Sequence, residues 1–246
     1  MAELAGYGAA TYGDRIAEEY DRLFQDAFDV AGTVELLADL AGPGPALELG
    51  IGTGRVALPL AARGVEVHGI DASAAMVAKL RAKPGGERIA VTMGSFVDVP
   101  VEGPFTLVYV TFNTFFALLT QEDQVRCFEA VAARLAAGGR FLIDAFVPDP
   151  ARYRRQQGWE VERVETDAVL LTAARHDPVA QRLASQRLLM TPGGTRMFPV
   201  NVRYAWPAEL DLMARLAGLG LEARWGGWRR EPFTAASGTH VSVYQK

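Results

Sequence analysis

Residues 47–54 read Leu-Glu-Leu-Gly-Ile-Gly-Thr-Gly, and Asp71 closes the later stretch Val-Glu-Val-His-Gly-Ile-Asp. The first run takes a short apolar strand (46–49) into a glycine turn that opens a helix; the second ends a strand on an acid. A strand, a Gly-rich turn, a helix N-terminus and a carboxylate about 20 residues on form the nucleotide-cradling half of a doubly wound α/β sheet. The glycines let backbone approach a ligand closely, and the helix N-terminus offers free N–H groups. The acid can accept from two ribose hydroxyls.

Glycine spacing narrows the ligand. A dinucleotide fingerprint G-x-G-x-x-G beginning at Gly50 needs glycine at 55, where this chain has Arg55. The glycines instead fall at 50, 52 and 54, with Glu48 two residues ahead. This E-x-G-x-G-x-G pattern resembles the class I S-adenosylmethionine (SAM)-dependent methyltransferases. Glu48 would repel a pyrophosphate and attract the ammonium of a methionine moiety, which argues against an NAD-dependent oxidoreductase. The resemblance implies SAM as cofactor and S-adenosylhomocysteine (SAH) as product.

It also assigns positions. Gly50, Ile51, Gly52, Thr53 and Gly54 would wrap the cofactor, Glu48 would face its ammonium, and Asp71, backed by Ala72, would hold its ribose. Met76 would pack on the adenine. In Gly94-Ser95-Phe96, Ser95 stands where many members carry an acid, so the adenine amino contact passes to Ser95 or to backbone. Met76 and Phe96 read equally well as core residues. Thr111 and Phe112 would run beneath the sulfonium, with Asn113 toward the acceptor. The run Thr-Phe-Asn is not the N/D-P-P-Y/F signature of adenine or amide N-methylation, so no nucleic-acid base is expected. Near the N-terminus, Ala17-Glu-Glu-Tyr20-Asp21 resembles the A-x-x-Y-D element that covers SAM in many small-molecule methyltransferases. Tyr12 would close over the sulfonium; plain hydrophobic anchoring is the other reading of both tyrosines.

The 246 residues suit one ample domain or a core with an inserted sub-structure. A net charge of -4 argues against a nucleic-acid partner. No apolar run is long enough for a membrane, and no basic-then-apolar leader opens the sequence. A cytoplasmic enzyme, monomeric or homodimeric, is the expectation. Cys127 is the single cysteine, so no internal disulfide forms, and it reads as a buried thiol.

Periodicity gives helices at 14–29, 32–41, 54–63, 74–83 (capped by Ser73), 120–136 (capped by Thr120, with Asp123 three residues on) and 207–217, with Pro59 breaking a local rule in the third. Strands follow at 46–49, 65–70, 89–93, 105–110 and 140–145. Their near-continuous apolar runs between helices imply a parallel sheet covered on both faces. After Pro148-Asp-Pro150 the period changes: 160–175, 182–191 and 195–204 read as antiparallel strands, the last two joined through Pro192-Gly-Gly194. Strands at 221–225 and 241–244 resemble the antiparallel pair that closes a seven-stranded methyltransferase sheet. The expected fold is therefore α/β, a doubly wound Rossmann-like sheet of seven mostly parallel strands with an antiparallel β insert. Its divisions are a helical cap (1–44), a SAM-binding core (45–147), a substrate or lid insert (148–204) and a closing helix and hairpin (205–246).

Methyl transfer from a sulfonium is an in-line displacement, so alignment supplies most of the catalysis. No residue declares itself as a base. Asp144, near the end of the strand at 140–145, and His176, at a turn of the insert, are the candidates; a backbone hydrogen bond and a solvated turn are their respective alternatives. His68 and His240 read as structural. Arg152, Arg154, Arg155, His176 and Arg203 are the polar groups of the insert most able to orient an acceptor or bridge a dimer. The expected function, as the resemblance implies it, is methylation of oxygen or nitrogen in a small molecule of secondary metabolism. The alternative is a SAM-retaining cyclase or binding module that transfers no methyl group.

Overall fold

In the computed structural model, which describes residues 4, 6–25, 28–149 and 157–246, a seven-stranded sheet forms the frame. Its first half comprises α1 (Thr11–Leu23), α2 (Val30–Ala41), β1 (Ala46–Leu49), α3 (Ala57–Ala62), β2 (Val67–Asp71) and α4 (Ala74–Arg81). There follow β3 (Ala90–Met93), β4 (Phe105–Val110), α5 (Gln121–Arg134) and β5 (Leu135–Phe146). Next come β6 (Gln157–Val164), β7 (Val169–Asp177), β8 (Arg182–Thr191) and β9 (Gly194–Arg203). The chain then adds α6 (Pro207–Leu216), β10 (Gly220–Trp225) and β11 (Thr239–Gln245).

The strand order is β10-β11-β5-β4-β1-β2-β3. β1 to β5 are parallel, and β11 runs antiparallel to both β5 and β10. The order reverses at β1 and β4, so the crevice for a ligand lies beyond their C-terminal ends. β1 and β4 are buried almost throughout, including Leu47, Leu49, Leu107 and Val108, because helices cover both faces. The start signals at Ser73 and Thr120 hold, and Asp29 adds a third cap that the sequence reading did not single out. Asp29 accepts from Gly32 N at 2.9 Å to open α2, Ser73 Oγ from Met76 N at 3.1 Å to open α4, and Thr120 Oγ1 from Asp123 N at 3.0 Å to open α5.

Apart from shifts at strand ends, the longest being β5, which starts at Leu135 instead of 140, three elements differ from the sequence expectation. α1 begins at Thr11 and stops at Leu23 instead of spanning 14–29; Phe24 leaves helical geometry, and its ring and that of Phe28 gather around Arg55. α3 begins only at Ala57, which puts Pro59 in the first turn, where its missing N–H has no helical partner to lose. The stretch 160–175 is not one strand: it folds back at 165–168, where Glu165 N donates to Ala168 O at 2.8 Å. The insert is thus a four-stranded antiparallel sheet, β6-β7-β8-β9.

That second sheet rests on α1. Leu170, Leu189 and Phe198 pack with Ile16, Ala17, Leu23 and Met76, so α1 is wedged between the insert and α4. Gly13 permits the wedge, since a Cβ there would lie 2.5 Å from Ser73 Cβ. Next to it, Asp14 accepts from Ser73 Oγ at 2.6 Å. The end of the insert is fixed by a polar cluster. Arg203 pairs with Glu209 at 2.6 Å and donates to Gln124 Oε1 at 2.5 Å, while Gln181 donates to Glu209 Oε2 at 2.7 Å. No described helix is long and apolar enough to cross a membrane.

Candidate active site

The turn after β1 follows from its glycines. Gly50, Gly52 and Gly54 have φ of +76°, +56° and +74°, a region that L side chains rarely adopt. Gly50 N and Ile51 N both donate to Ile70 O, at 2.8 and 3.0 Å, which fixes the turn to β2. A Cβ on Gly52 would meet nothing nearer than Gly50 O at 3.9 Å, so this backbone faces open space. Such a cradle fits a ligand pressed directly on the main chain.

Asp71, the last residue of β2, accepts from Gly52 N at 2.7 Å and from Ser73 N at 2.8 Å. Burial raises its pKa and these backbone donors draw it back. Glu48 is buried at the end of β1, and burial pushes its pKa up to about 8. Tyr109, whose hydroxyl donates to Oε2 at 3.1 Å, and the charge of Arg55 act in the opposite sense. A buried carboxyl with no cation bonded to it among the described residues is poised to ionise when one arrives.

Above the turn runs a chain of rings. Tyr12 meets Tyr20 edge-on at 6.5 Å between centroids, Tyr20 meets Phe24 at 5.0 Å, Phe24 meets Phe28 at 5.9 Å, and Phe28 meets Phe112 at 3.9 Å. Both tyrosine hydroxyls have pKa values raised by burial. Tyr20 feels the charges of Glu48 and Asp71, and Tyr12 feels Arg187 of the insert. The ring chain therefore links the glycine turn to the second sheet. Asp21, next to Tyr20, ties α1 to the turn: it accepts from Thr53 Oγ1 and pairs with Lys83, both at 2.7 Å.

The remaining sequence candidates divide by what they touch. Ile51 is buried against Gly69, so only its backbone is offered to the turn. Ala72 is half-buried behind Asp71, and Met76 packs beneath α1. Gly94 N donates to Asp71 O at 2.8 Å, Ser95 is exposed, and Phe96 belongs to the main core. Thr111 is buried. Phe112 and Asn113 take φ of +56° and +65°, held there by two side chains. Asp144 Oδ2 accepts from Phe112 N at 2.8 Å, and Asn113 Oδ1 accepts from Phe146 N at 2.7 Å. Burial pushes Asp144 up to about 6.

His176 is no solvated turn residue: it is buried, with Nε2 2.8 Å from Tyr204 Oη. Arg203 is engaged in the ion pair with Glu209. Arg152, with Arg154 and Arg155, lies outside the described residues. His68 sits 2.9 Å from Glu66, and His240 is buried beside Ser242, its pKa lowered by burial to about 4. The buried Cys127 thiol donates to Phe96 O at 3.6 Å, and burial raises its pKa.

Sequence reasoning missed Arg187 and the role of Arg55. Arg187 stands on β8 with its guanidinium 4.9 Å from the Phe24 ring and Nε donating to Glu162 at 3.0 Å. The alternation Leu183, Ser185, Arg187, Leu189 marks that inward face, and Leu189 at its end is buried against α1.

A doubly wound sheet with an acid-guarded glycine turn and a second acid after the next strand defines a SAM-binding fold. The family described as "Methyltransferase domain" matches residues 46–139. The CcbJ methyltransferase from Streptomyces caelestis superposes with a TM-score of 0.90 at 41% identity, over 97% of this chain and 98% of that one. The cypemycin N-terminal methyltransferase of a Streptomyces species is 29% identical over 206 residues, 81% of this chain and 82% of the relative. SAM-bound CalS10, an amino pentose methyltransferase from Micromonospora echinaspora, shares the fold at a TM-score of 0.68 and 19% identity, over 100% of this chain and 99% of that one. The chain belongs to the class I SAM-dependent methyltransferases.

Proposed function

We propose that this methyltransferase acts on a nitrogen of a small-molecule acceptor in secondary metabolism. The observation that carries the reading is that the candidate bases named from the sequence are either hydrogen-bonded within the protein or hard to ionise. Asp144 holds Phe112 N, His176 meets Tyr204, and both tyrosine hydroxyls resist ionisation. A hydroxyl acceptor would need a base, a contribution of about 10²–10⁴-fold. A neutral amine attacks with its own lone pair and sheds its proton afterwards. Two relatives, named as an N-terminal and an amino pentose methyltransferase, support the choice of nitrogen.

SAM supplies a methyl group on a cationic sulfur, already activated for in-line displacement. Residues of this chain bind and align. Gly50 to Gly54 would receive the cofactor on backbone, Glu48 its ammonium, Asp71 its ribose, and Ser95 its adenine, with Met76 and Phe96 packed behind as core residues. Thr111 and Phe112 floor the reacting centre, and Tyr12 and Tyr20 cover it and exclude water. The acceptor enters between the ring chain and the inner face of the insert, where Arg187 stands.

Incubation with methyl-labelled SAM and matched amine and alcohol acceptors tests this reading. The amines should become one methyl group heavier, with SAH formed in equal amount. Labelling of the alcohols alone would reject nitrogen. Tight SAM binding without SAH across the panel would favour a non-methylating protein.

A further inference from the structure

Arg55, the residue that breaks the dinucleotide pattern, sits in an aromatic box. Its guanidinium carbon lies 4.6 Å from the Tyr20 ring centroid, 4.9 Å from Phe28, 5.4 Å from Phe112 and 5.8 Å from Phe24. Nη1 donates to Phe24 O at 3.2 Å. Nη2 is buried and has no hydrogen-bond partner among the described residues. A guanidinium N–H removed from water without an acceptor is costly, so the arrangement calls for an anion. Four rings hold the cation by their faces, fixing its position while leaving that N–H to bond elsewhere.

The neighbouring charge sets what kind of anion. Arg55 acts on Glu48 across the glycine turn, and the two are not bonded to each other: Glu48 takes the Tyr109 hydroxyl and Arg55 takes a carbonyl. An acid and a base that face one turn without pairing complement a zwitterion. The methionine end of SAM is an α-amino acid, with ammonium and carboxylate on one carbon.

We propose that Arg55 binds the carboxylate of the cofactor's methionine end through Nη2, while Glu48 takes the ammonium. The inference rests on the cofactor assignment and adds the residue that reads its acid group. It also gives the rings a second role, because Tyr20 and Phe112, which border the reacting centre, orient the guanidinium.

Two probes isolate the carboxylate: SAH, and its decarboxylated analogue, which keeps the amine, the thioether and the nucleoside. Calorimetric affinities are compared in the wild type, Arg55→Met and Arg55→Lys. The wild type should prefer SAH by about 10- to 100-fold, the size expected of a hydrogen bond to a charged group. Arg55→Met should abolish that preference while binding the analogue as the wild type does, and Arg55→Lys should restore part of it. An equal loss for both probes in Arg55→Met would make Arg55 a packing residue and overturn the proposal. So would a wild type that does not distinguish them. A wild type that binds neither probe would overturn the cofactor assignment itself, and this proposal with it.

Discussion

Asp71 grips the glycine turn from the neighbouring strand, its Oδ2 accepting the N–H of Gly52 at 2.7 Å. Its other oxygen accepts from Ser73 N at 2.8 Å, so one carboxylate fixes both the turn and the start of α4. Each oxygen keeps a second lone pair for a ligand hydroxyl. The acid that would read the ribose therefore also shapes the backbone on which the cofactor would lie.

Gly52→Val should abolish SAH binding. A valine there projects into the open space above the turn, at a φ of +56°. The backbone strain should also cost about 1–3 kcal/mol of stability. Calorimetry and chemical denaturation measure the two effects separately; normal SAH affinity in a folded variant would show that the cofactor lies elsewhere.

Glu48 couples binding to pH. Its carboxyl is raised to about 8 in the free protein, so it is mostly protonated at pH 7. An arriving ammonium favours the ionised form, and binding at pH 7 should release close to one proton. In the free protein the sign is the reverse of the usual carboxylate. The folded state holds this proton more tightly than the unfolded chain, so its contribution to stability is complete below the ordinary carboxylate range and falls as pH rises toward 8. Titrations in buffers of different ionisation enthalpy count the proton, and Glu48→Gln should remove it.

Asp144 separates a base from a positioning residue. It holds Phe112 N at a φ of +56°, a geometry that costs energy unless held. Asp144→Asn keeps an acceptor for that N–H and should retain most of kcat. Asp144→Ala should lose at least ten-fold, on the scale of a charge-assisted hydrogen bond of about 1.5–3 kcal/mol. Equal inactivation of both variants would make Asp144 the base.

Arg203→Ala should act on stability. The variant leaves Glu209 without its cation in a largely buried site, and breaking such a pair costs about 3–5 kcal/mol. Denaturation should show that loss, while SAH affinity of the folded fraction stays near normal. An intact stability with a raised acceptor KM would return Arg203 to the acceptor site.

What the sequence disclosed was local or periodic. The glycine turn, the strand-end acid Asp71 and the caps Ser73 and Thr120 each act within a few residues of their partners or at a fixed offset. Apolar runs set the parallel sheet and its closing pair. Features that depend on distant partners were hidden. Asp14 meets Ser73 only once α1 docks on α4, Arg203 meets Gln124 only once the insert reaches α5, and Arg187 meets Phe24 only once the insert folds over the end of α1. The break at 165–168 lacked a glycine or proline to mark it. Pro59 looked anomalous only because α3 was expected to begin three residues early. Arg55 was visible as a departure from a pattern, but the rings around it come from α1, the segment after it and the loop after β4.

The central claim is that the turn and Asp71 together form the SAM site, and calorimetric titration with SAH tests it most directly. The wild type should bind, and Asp71→Ala should weaken binding severely, by the loss of a charged acceptor worth about 1.5–3 kcal/mol. A folded Asp71→Ala protein with unchanged SAH affinity would contradict the account.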